Sequence, residues 1–208
     1  MNILAVGAHY DDVEMGCSGT LIKHVAAGDR VVVIVASKSA YKDPKGVSIR
    51  SPEMAAKEGA RAAAVMGVEL VLLGYEALYV PDDEDLARAI RYHIEECQID
   101  TVYCHWAHDV HRDHRHVAQA AIMSARQVPR VLMYRSNYYD SYEPFKGNFY
   151  SDISEHMEKK IEVIKAHRSE LERVRYKWLD FIQRQNANDG QKIGVGYAEK
   201  FDLVRYVV

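Results

Sequence analysis

The segment Arg30–Ala36, RVVVIVA, constrains the fold more than any other stretch of the chain. Its unbroken β-branched run has no polar face, so as a strand it must be covered on both sides, as strands of parallel sheets are. The flanking sequence supplies the cover. Asn2–Gly7 reads as a buried strand, followed by a loop and a helix from about Val13 to Ala27 that Gly28 stops. Beyond a polar loop at Lys38–Val47, alanine-rich Pro52–Met66 reads as a helix leading through Gly67 into a strand, Glu69–Leu73. A helix at Asp83–Cys97, a strand at Thr101–Cys104, a helix at Val117–Arg126 and a strand at Val131–Tyr134 continue the rhythm. Strands alternating with helices predict a Rossmann-like α/β fold, a mostly parallel sheet with helices on both faces.

The rest of the chain is less regular. Tyr138–Ser151, rich in Tyr, Phe, Pro and Gly, reads as a long surface loop. From Ile153 to about Gln185 the pattern is a long charged helix or helix pair, with Met157, Ile161, Ile164, Leu171, Trp178 and Ile182 forming a stripe that packs onto the sheet. No repeat or linker interrupts the 208 residues, so residues 1–208 are expected to form a single domain.

A composition of 48% hydrophobic and 27% charged residues is that of a globular protein. A formal net charge of −3 without a block of like charges gives no basic face for nucleic acid. Ile3–Val6 is too short and lacks the charged flank of a leader or membrane span, so the expected location is the cytoplasm. Cys17, Cys97 and Cys104 form no CxxC pair, which argues against a disulfide framework or zinc ribbon and for buried thiols. A homo-oligomer is compatible with the sequence.

Histidine is the unusual component: five of the ten fall between His105 and His116. The segment HWAHDVHRDHRH follows the strand Thr101–Cys104, and it spaces His105, His108, His111 and His114 by threes, with Asp109 and Asp113 among them. The first strand likewise ends in AHYDDVE, which packs His9, Asp11 and Asp12 into four positions. Asp12 alone would read as a helix N-cap, and a lone histidine as a solvated loop residue. Two clusters at the carboxyl ends of two strands, where open α/β sheets bind ligands, instead point to a shared site. Their loops can meet above the sheet and supply three ligands to one metal, with an open position for water.

These residues resemble the PIG-L/LmbE-like family of zinc-dependent N-deacetylases. The matching segments are Ala8-His9-Tyr10-Asp11-Asp12-Val13-Glu14, against the family's AHPDDxE, and His111-Arg112-Asp113-His114, against its HPDH. Arg50 before the helix ending Met66-Gly67-Val68, then Asp152-Ile153, Lys159 or Lys160, His167, and Tyr197-Ala198-Glu199-Lys200-Phe201 extend the likeness over almost the whole chain. Tyr10 and Arg112 stand where the family usually has proline, which alters loop geometry without removing a ligand.

The resemblance implies a Zn²⁺ held by His9, Asp12 and His114, with Asp11 as general base, His111 stabilising an oxyanion and Asp113 orienting His111. Arg50, Arg112 and His167 become candidates for substrate binding, and Glu14 is divided between helix support and site contact. The implied substrate is a small acetylated amino sugar of the N-acetylglucosamine type, carrying a glycosidic or nucleotide group. Tyr138, Tyr139, Tyr142, Phe145 and Phe149 offer it apolar ring faces, although packing of that loop onto the sheet explains them equally well. A non-sugar N-acyl substrate, and non-haem iron on the same two-histidine, one-carboxylate set, are the alternatives. A nucleotide-binding module is disfavoured because no GxGxxG or Walker loop follows the first strand.

Overall fold

The computed structural model describes residues 1–208. In chain order its first half runs β1 (Asn2–Gly7), α1 (Asp12–Ala26), β2 (Arg30–Ser37), β3 (Tyr41–Lys42), β4 (Ser48–Arg50), α2 (Pro52–Met66), β5 (Glu69–Tyr75) and α3 (Glu84–Glu96). The second half comprises β6 (Thr101–His105), α4 (Arg112–Ser124), β7 (Arg130–Tyr134), β8 (Phe149–Asp152), a 3₁₀ turn at Ser154–His156, α5 (Met157–Lys165), α6 (Arg168–Arg173), α7 (Lys177–Lys192) and β9 (Ala198–Tyr206).

Seven strands form one sheet in the order β5-β2-β1-β6-β7-β9-β8. The first five are mutually parallel, with Leu4 of β1 level with Val32 on one side and Val102 on the other. The chain steps outward from β1 through β2 to β5, then returns to the other side of β1 at β6. That reversal opens a crevice above the carboxyl ends of β1 and β6, where ligands of such sheets bind.

Alternation along the central strands divides the core as the two-faced β2 requires. Ile3, Ala5, Val31 and Val33 pack with Val13, Cys17 and Leu21 of α1. Leu4, Val6, Val32 and Ile34 pack with Leu86 and Ile90 of α3 and Val117 and Ala121 of α4. Each such side chain, fully buried, contributes about 1.5–3 kcal/mol relative to exposure. A charge at Val33, 1% exposed, would therefore break the sheet–α1 layer.

Local signals set the helix ends. Ser51 caps α2 by accepting from Met54 N at 3.2 Å, Pro52 occupies the first turn, and Gly67 closes the helix at φ 81°. No helix is long and apolar enough to cross a membrane. The three cysteines are free.

Four expectations change. Helix α4 starts at Arg112 and not Val117, because Asp109 accepts from His111 N at 2.7 Å and closes the turn just ahead of it. The predicted loops at Lys38–Val47 and Tyr138–Ser151 contain β3 and the start of β8. The long helix divides into a 3₁₀ turn and three helices, with Arg175 and Tyr176 at positive φ separating α6 from α7. Its apolar stripe gathers around Met15 of α1, and only α7 of these helices lies against the sheet, at β9. The tail supplies β9, a strand with no marked β-branched run, inserted antiparallel between β7 and β8.

Candidate metal centre and active site

The first half of the site is the turn between β1 and α1. Asp11 caps α1 at φ 114° and ψ −23°, a conformation strained for any residue but glycine. Its neighbours over-determine it: Glu14 Oε2 accepts from Asp11 N at 3.1 Å, and Arg50 Nη1 lies 3.7 Å from Asp11 Oδ2 and donates to Tyr10 O at 3.2 Å. Beside it Asp12 Oδ2 accepts from His9 N at 2.7 Å, and Asp12 Oδ1 accepts from Ser136 Oγ at 3.1 Å. The middle of α2 admits Tyr10 at Gly59, where a Cβ would meet its ring at 2.1 Å. That packing accommodates the tyrosine standing at the family's proline position.

The second half follows β6. Asp109 is its organiser, taking both Asn137 Nδ2 contacts at 2.8 Å besides the His111 amide. It also faces His114 Nδ1 at 3.2 Å. His114 presents its other nitrogen, Nε2, to Asp12 Oδ1 at 3.2 Å, and His9 Nδ1 lies 3.3 Å from Asp12 Oδ2. The two strand-end clusters thus meet at Asp12.

Two convergent donor groups arise here, His9–His111–His114 and Asp12–His105–His114. Donors about 2.0–2.1 Å from a tetrahedral metal lie about 3.3 Å from one another. His9 Nδ1 to Asp12 Oδ2 and His114 Nε2 to Asp12 Oδ1 are of that size but run to different oxygens. The expected trio His9, Asp12 and His114 is divided between the two groups, which share His114. The donor set of imidazoles and carboxylate suits a first-row divalent metal. His105 is less suited to ligation. Its Nε2 faces the Ala8 N–H at 3.0 Å as well as Asp12 at 3.2 Å, and its ring stacks beneath His114 with centroids 4.0 Å apart.

Burial works against ionisation of Asp12, yet the His114 and His105 charges hold its carboxyl well below the usual range. Burial also opposes protonation of His9 and His114, but their hydrogen bonds and contacts with Asp113, Asp12 and Asp109 prevail, raising them to about 9 and about 10. Burial and the charges of His114 and His9 push His111 down to about 4, so its ring is neutral. Burial, reinforced by the neighbouring Asp12 charge, raises Asp11 to about 7.

Above this floor opens a pocket of about 530 Å³ lined by His9, Asp11, Asp12, His111 and His114, with Arg50, Asn137, Tyr41, Tyr139 and Trp178 among the other walls. The remaining predicted residues fall elsewhere. Asp113 pairs with His9 Nε2 at 3.1 Å and accepts from Leu78 N at 2.6 Å, leaving His111 Nδ1 without a partner. From the first turn of α4 its carboxyl reaches back to the Leu78 loop, so it orients His9 and not His111. Arg112, exposed, donates to Leu78 O and does not line the pocket. His167 is fully buried behind it, with Nδ1 3.3 Å from Arg50 Nη2 and Nε2 3.1 Å from Glu14 Oε1. Glu14 therefore supports Asp11 and His167 from below.

Of the five loop aromatics only Tyr139 lines the pocket; Tyr138 packs on Phe181, Phe145 on Trp106 and Phe149 on Tyr206, while Tyr142 is exposed. Tyr41 and Trp178 take their place at the wall, brought in from β3 and α7, which no local sequence signal joins to the site. Asp109 was open to recognition, since it stands between two histidines of the spaced set.

The chain is similar to several known proteins. The chain is 27% identical over 175 residues to the uncharacterized deacetylase YaiS of Escherichia coli K12, covering 80% of this chain and 90% of that protein. Its structure is similar to N,N'-diacetylchitobiose deacetylase from Pyrococcus horikoshii, with a TM-score of 0.83 and 24% identity over 98% of this chain and 83% of that one. It is also similar to GalB, the 4-carboxy-2-hydroxymuconate hydratase of Pseudomonas putida KT2440, with a TM-score of 0.81 and 16% identity over 100% and 97% of the two chains. One fold thus carries different reactions, and the site must choose between them. Residues 4–125, which include both histidine–aspartate clusters, match the family PIG-L, GlcNAc-PI de-N-acetylase, and the chain belongs to that family.

Proposed function

We propose that this protein is a zinc-dependent N-deacetylase that removes the acetyl group from an N-acetylglucosamine-type amino sugar. The observation that carries the reading is the placement of Asp12, whose two oxygens meet His9 Nδ1 at 3.3 Å and His114 Nε2 at 3.2 Å on the floor of a pocket that Asp11 also lines. His9, Asp12 and His114 would hold the ion. Zinc bound there supplies a water with a pKa near 7 and polarises the acetamide carbonyl.

The chain's own residues do the rest. Asp11 takes a proton from the attacking water and returns it to the amine as the C–N bond breaks, releasing acetate and the free amino sugar. Its raised pKa suits a group that must both accept and donate near neutrality. His111, neutral and lining the pocket, donates to the carbonyl oxygen as negative charge builds there, an interaction worth about 3–4 kcal/mol. Asp109 and Asp113 orient His114 and His9 from behind. Arg50 fixes Asp11 and lines the pocket, which places it within reach of substrate.

The sugar assignment rests on the walls. Tyr41, Tyr139 and Trp178 provide ring faces, and Asn137 and Arg50 directional polar groups, in a volume suited to more than one small ring. The likeness to a diacetylchitobiose deacetylase points the same way. Acetate release should be measured from N-acetylated sugars, nucleotide sugars, glycosides, N-acetyl amino acids and simple acetamides. Faster release from the acetylated sugars is expected. Faster release from N-acetyl amino acids than from every sugar would overturn the substrate class, and water addition without acetate release would overturn the reaction.

A further inference from the structure

The later family-like residues, which the chemistry above leaves unused, converge on helix α1. Ile153 packs where a Cβ on Gly19 would meet it at 2.8 Å, and His167 faces Glu14 at 3.1 Å. Lys160 and not Lys159 is the buried lysine, and Glu199 is its partner at 2.6 Å, both side chains 0% exposed. The pair is joined to the helix backbone. Lys160 Nζ donates to Met15 O at 2.9 Å, while Glu199 accepts from Gly19 N at 2.9 Å and Thr20 N at 2.7 Å.

In a regular α-helix Gly19 N–H would point at Met15 C=O. An ammonium and a carboxylate also reach these two backbone groups, one on each. These contacts hold α1, an unbroken α-helix from Asp12 to Ala26, about one turn from Asp11 and Asp12. Asp11, Asp12 and Glu14 all occupy the first turn of α1 or its cap, and Met15 lines the pocket. The helix has no slack elsewhere: it is buried from Asp12 to Ile22, and a Cβ on Gly16 would meet the Tyr134 ring at 2.2 Å.

We infer that Lys160 and Glu199 are positioning residues, an ion pair anchored on the Met15 carbonyl and the Gly19 and Thr20 amides that fixes where α1 sits and so places Asp12 against His9 and His114. The inference rests on the metal-site reading above, but not on the identity of the substrate. A merely structural pair would be dispensable once its burial was compensated, because an apolar replacement of a buried ion pair is often neutral or stabilising. A positioning pair would not be, because apolar replacements remove the contacts to the Met15 carbonyl and the Gly19 and Thr20 amides that hold this part of the helix in place.

The test is the double variant Lys160→Met with Glu199→Leu, compared with each single change. Thermal stability, zinc affinity by chelator competition, kcat and KM are the readouts. The single variants should be destabilised, each leaving one buried charge alone. The double variant should recover the melting temperature, yet bind zinc about 10–100-fold more weakly and lose about 10²-fold in kcat with KM little changed. Wild-type zinc affinity and kcat in a double variant of recovered stability would overturn the inference. Should the double variant fail to fold, Glu199→Gln keeps the side-chain shape with one acceptor oxygen for two amides. A kcat within about twofold of wild type in folded Glu199→Gln overturns the inference, and a loss of tenfold or more at unchanged KM supports it. Zinc affinity is read without substrate, so failure to release acetate from any sugar would sink the proposed reaction and leave this test standing.

Discussion

Asp109 Oδ2 lies 3.2 Å from Nδ1 of His114, on the ring edge opposite the one that faces Asp12. The imidazole is thereby fixed between two carboxylates, one that orients it and one that shares its ligand edge. Such outer partners set tautomer and basicity, and their loss costs about 10–100-fold in metal affinity. Asp109→Asn should keep the fold, because the amide oxygen still accepts from His111 N, and should weaken zinc binding by that factor in a chelator competition. Unchanged affinity would remove Asp109 from the metal centre.

Metal binding should release protons. In the metal-free protein His9 and His114 titrate at about 9 and about 10, above the ordinary histidine value of 6.5, whereas a ligand imidazole must be neutral. Up to two protons should leave at pH 7, one from each ring, and zinc affinity should climb as pH rises towards those values. The stability of the metal-free fold should move oppositely. Its contribution from these rings is fully present below about pH 6.5 and is lost as pH rises through about 9 and 10. Calorimetry in buffers of different ionisation enthalpy, with melting temperatures of the metal-free protein across that window, checks both signs.

Asp11→Asn should retain zinc and fold but lose about 10²–10⁴-fold in kcat, since an amide cannot take the proton of the attacking water. Asparagine keeps the side-chain shape and meets the same backbone strain that aspartate already bears at this positive φ. An unchanged melting temperature would separate the loss from unfolding. Near-normal kcat in the zinc-loaded variant would move the base to another residue.

Gly59 and Tyr10 should behave as a pair. Gly59→Ala brings a methyl group to within 2.1 Å of the Tyr10 ring, and overpacking of this kind costs about 1–3 kcal/mol. The cost should be partly offset by the better helix propensity of alanine, about 1 kcal/mol, and largely removed by adding Tyr10→Ala. Denaturant melts of the two single variants and the double variant measure the coupling. Additive effects would show that the contact carries no strain.

The central sheet and the site floor were legible in the sequence for the same reason. Arg30–Ala36 has one structural solution, and the clusters around His9 and His111 lie next to strands whose periodicity is unambiguous. What escaped notice depends on contacts between distant segments. Strand β9 carries Glu199 and Phe201 but no hydrophobic run, and its place between β7 and β8 is set by pairing partners and not by its own residues. Tyr41 and Trp178 reach the pocket from β3 and α7, while the loop aromatics richest in the sequence mostly pack on other side chains. The family resemblance implied that Asp113 orients His111. The turn at the start of α4 directs it to His9 and Leu78 instead.

The most direct measurement is zinc titration into metal-free protein while acetate release from an N-acetylglucosamine glycoside is followed. The account predicts no turnover without metal, a linear rise to a break at about one equivalent of zinc, as a three-ligand mononuclear site requires, and no recovery in a His114→Ala protein. Acetate release that persists after metal removal, or that zinc restores equally well in His114→Ala, would contradict it.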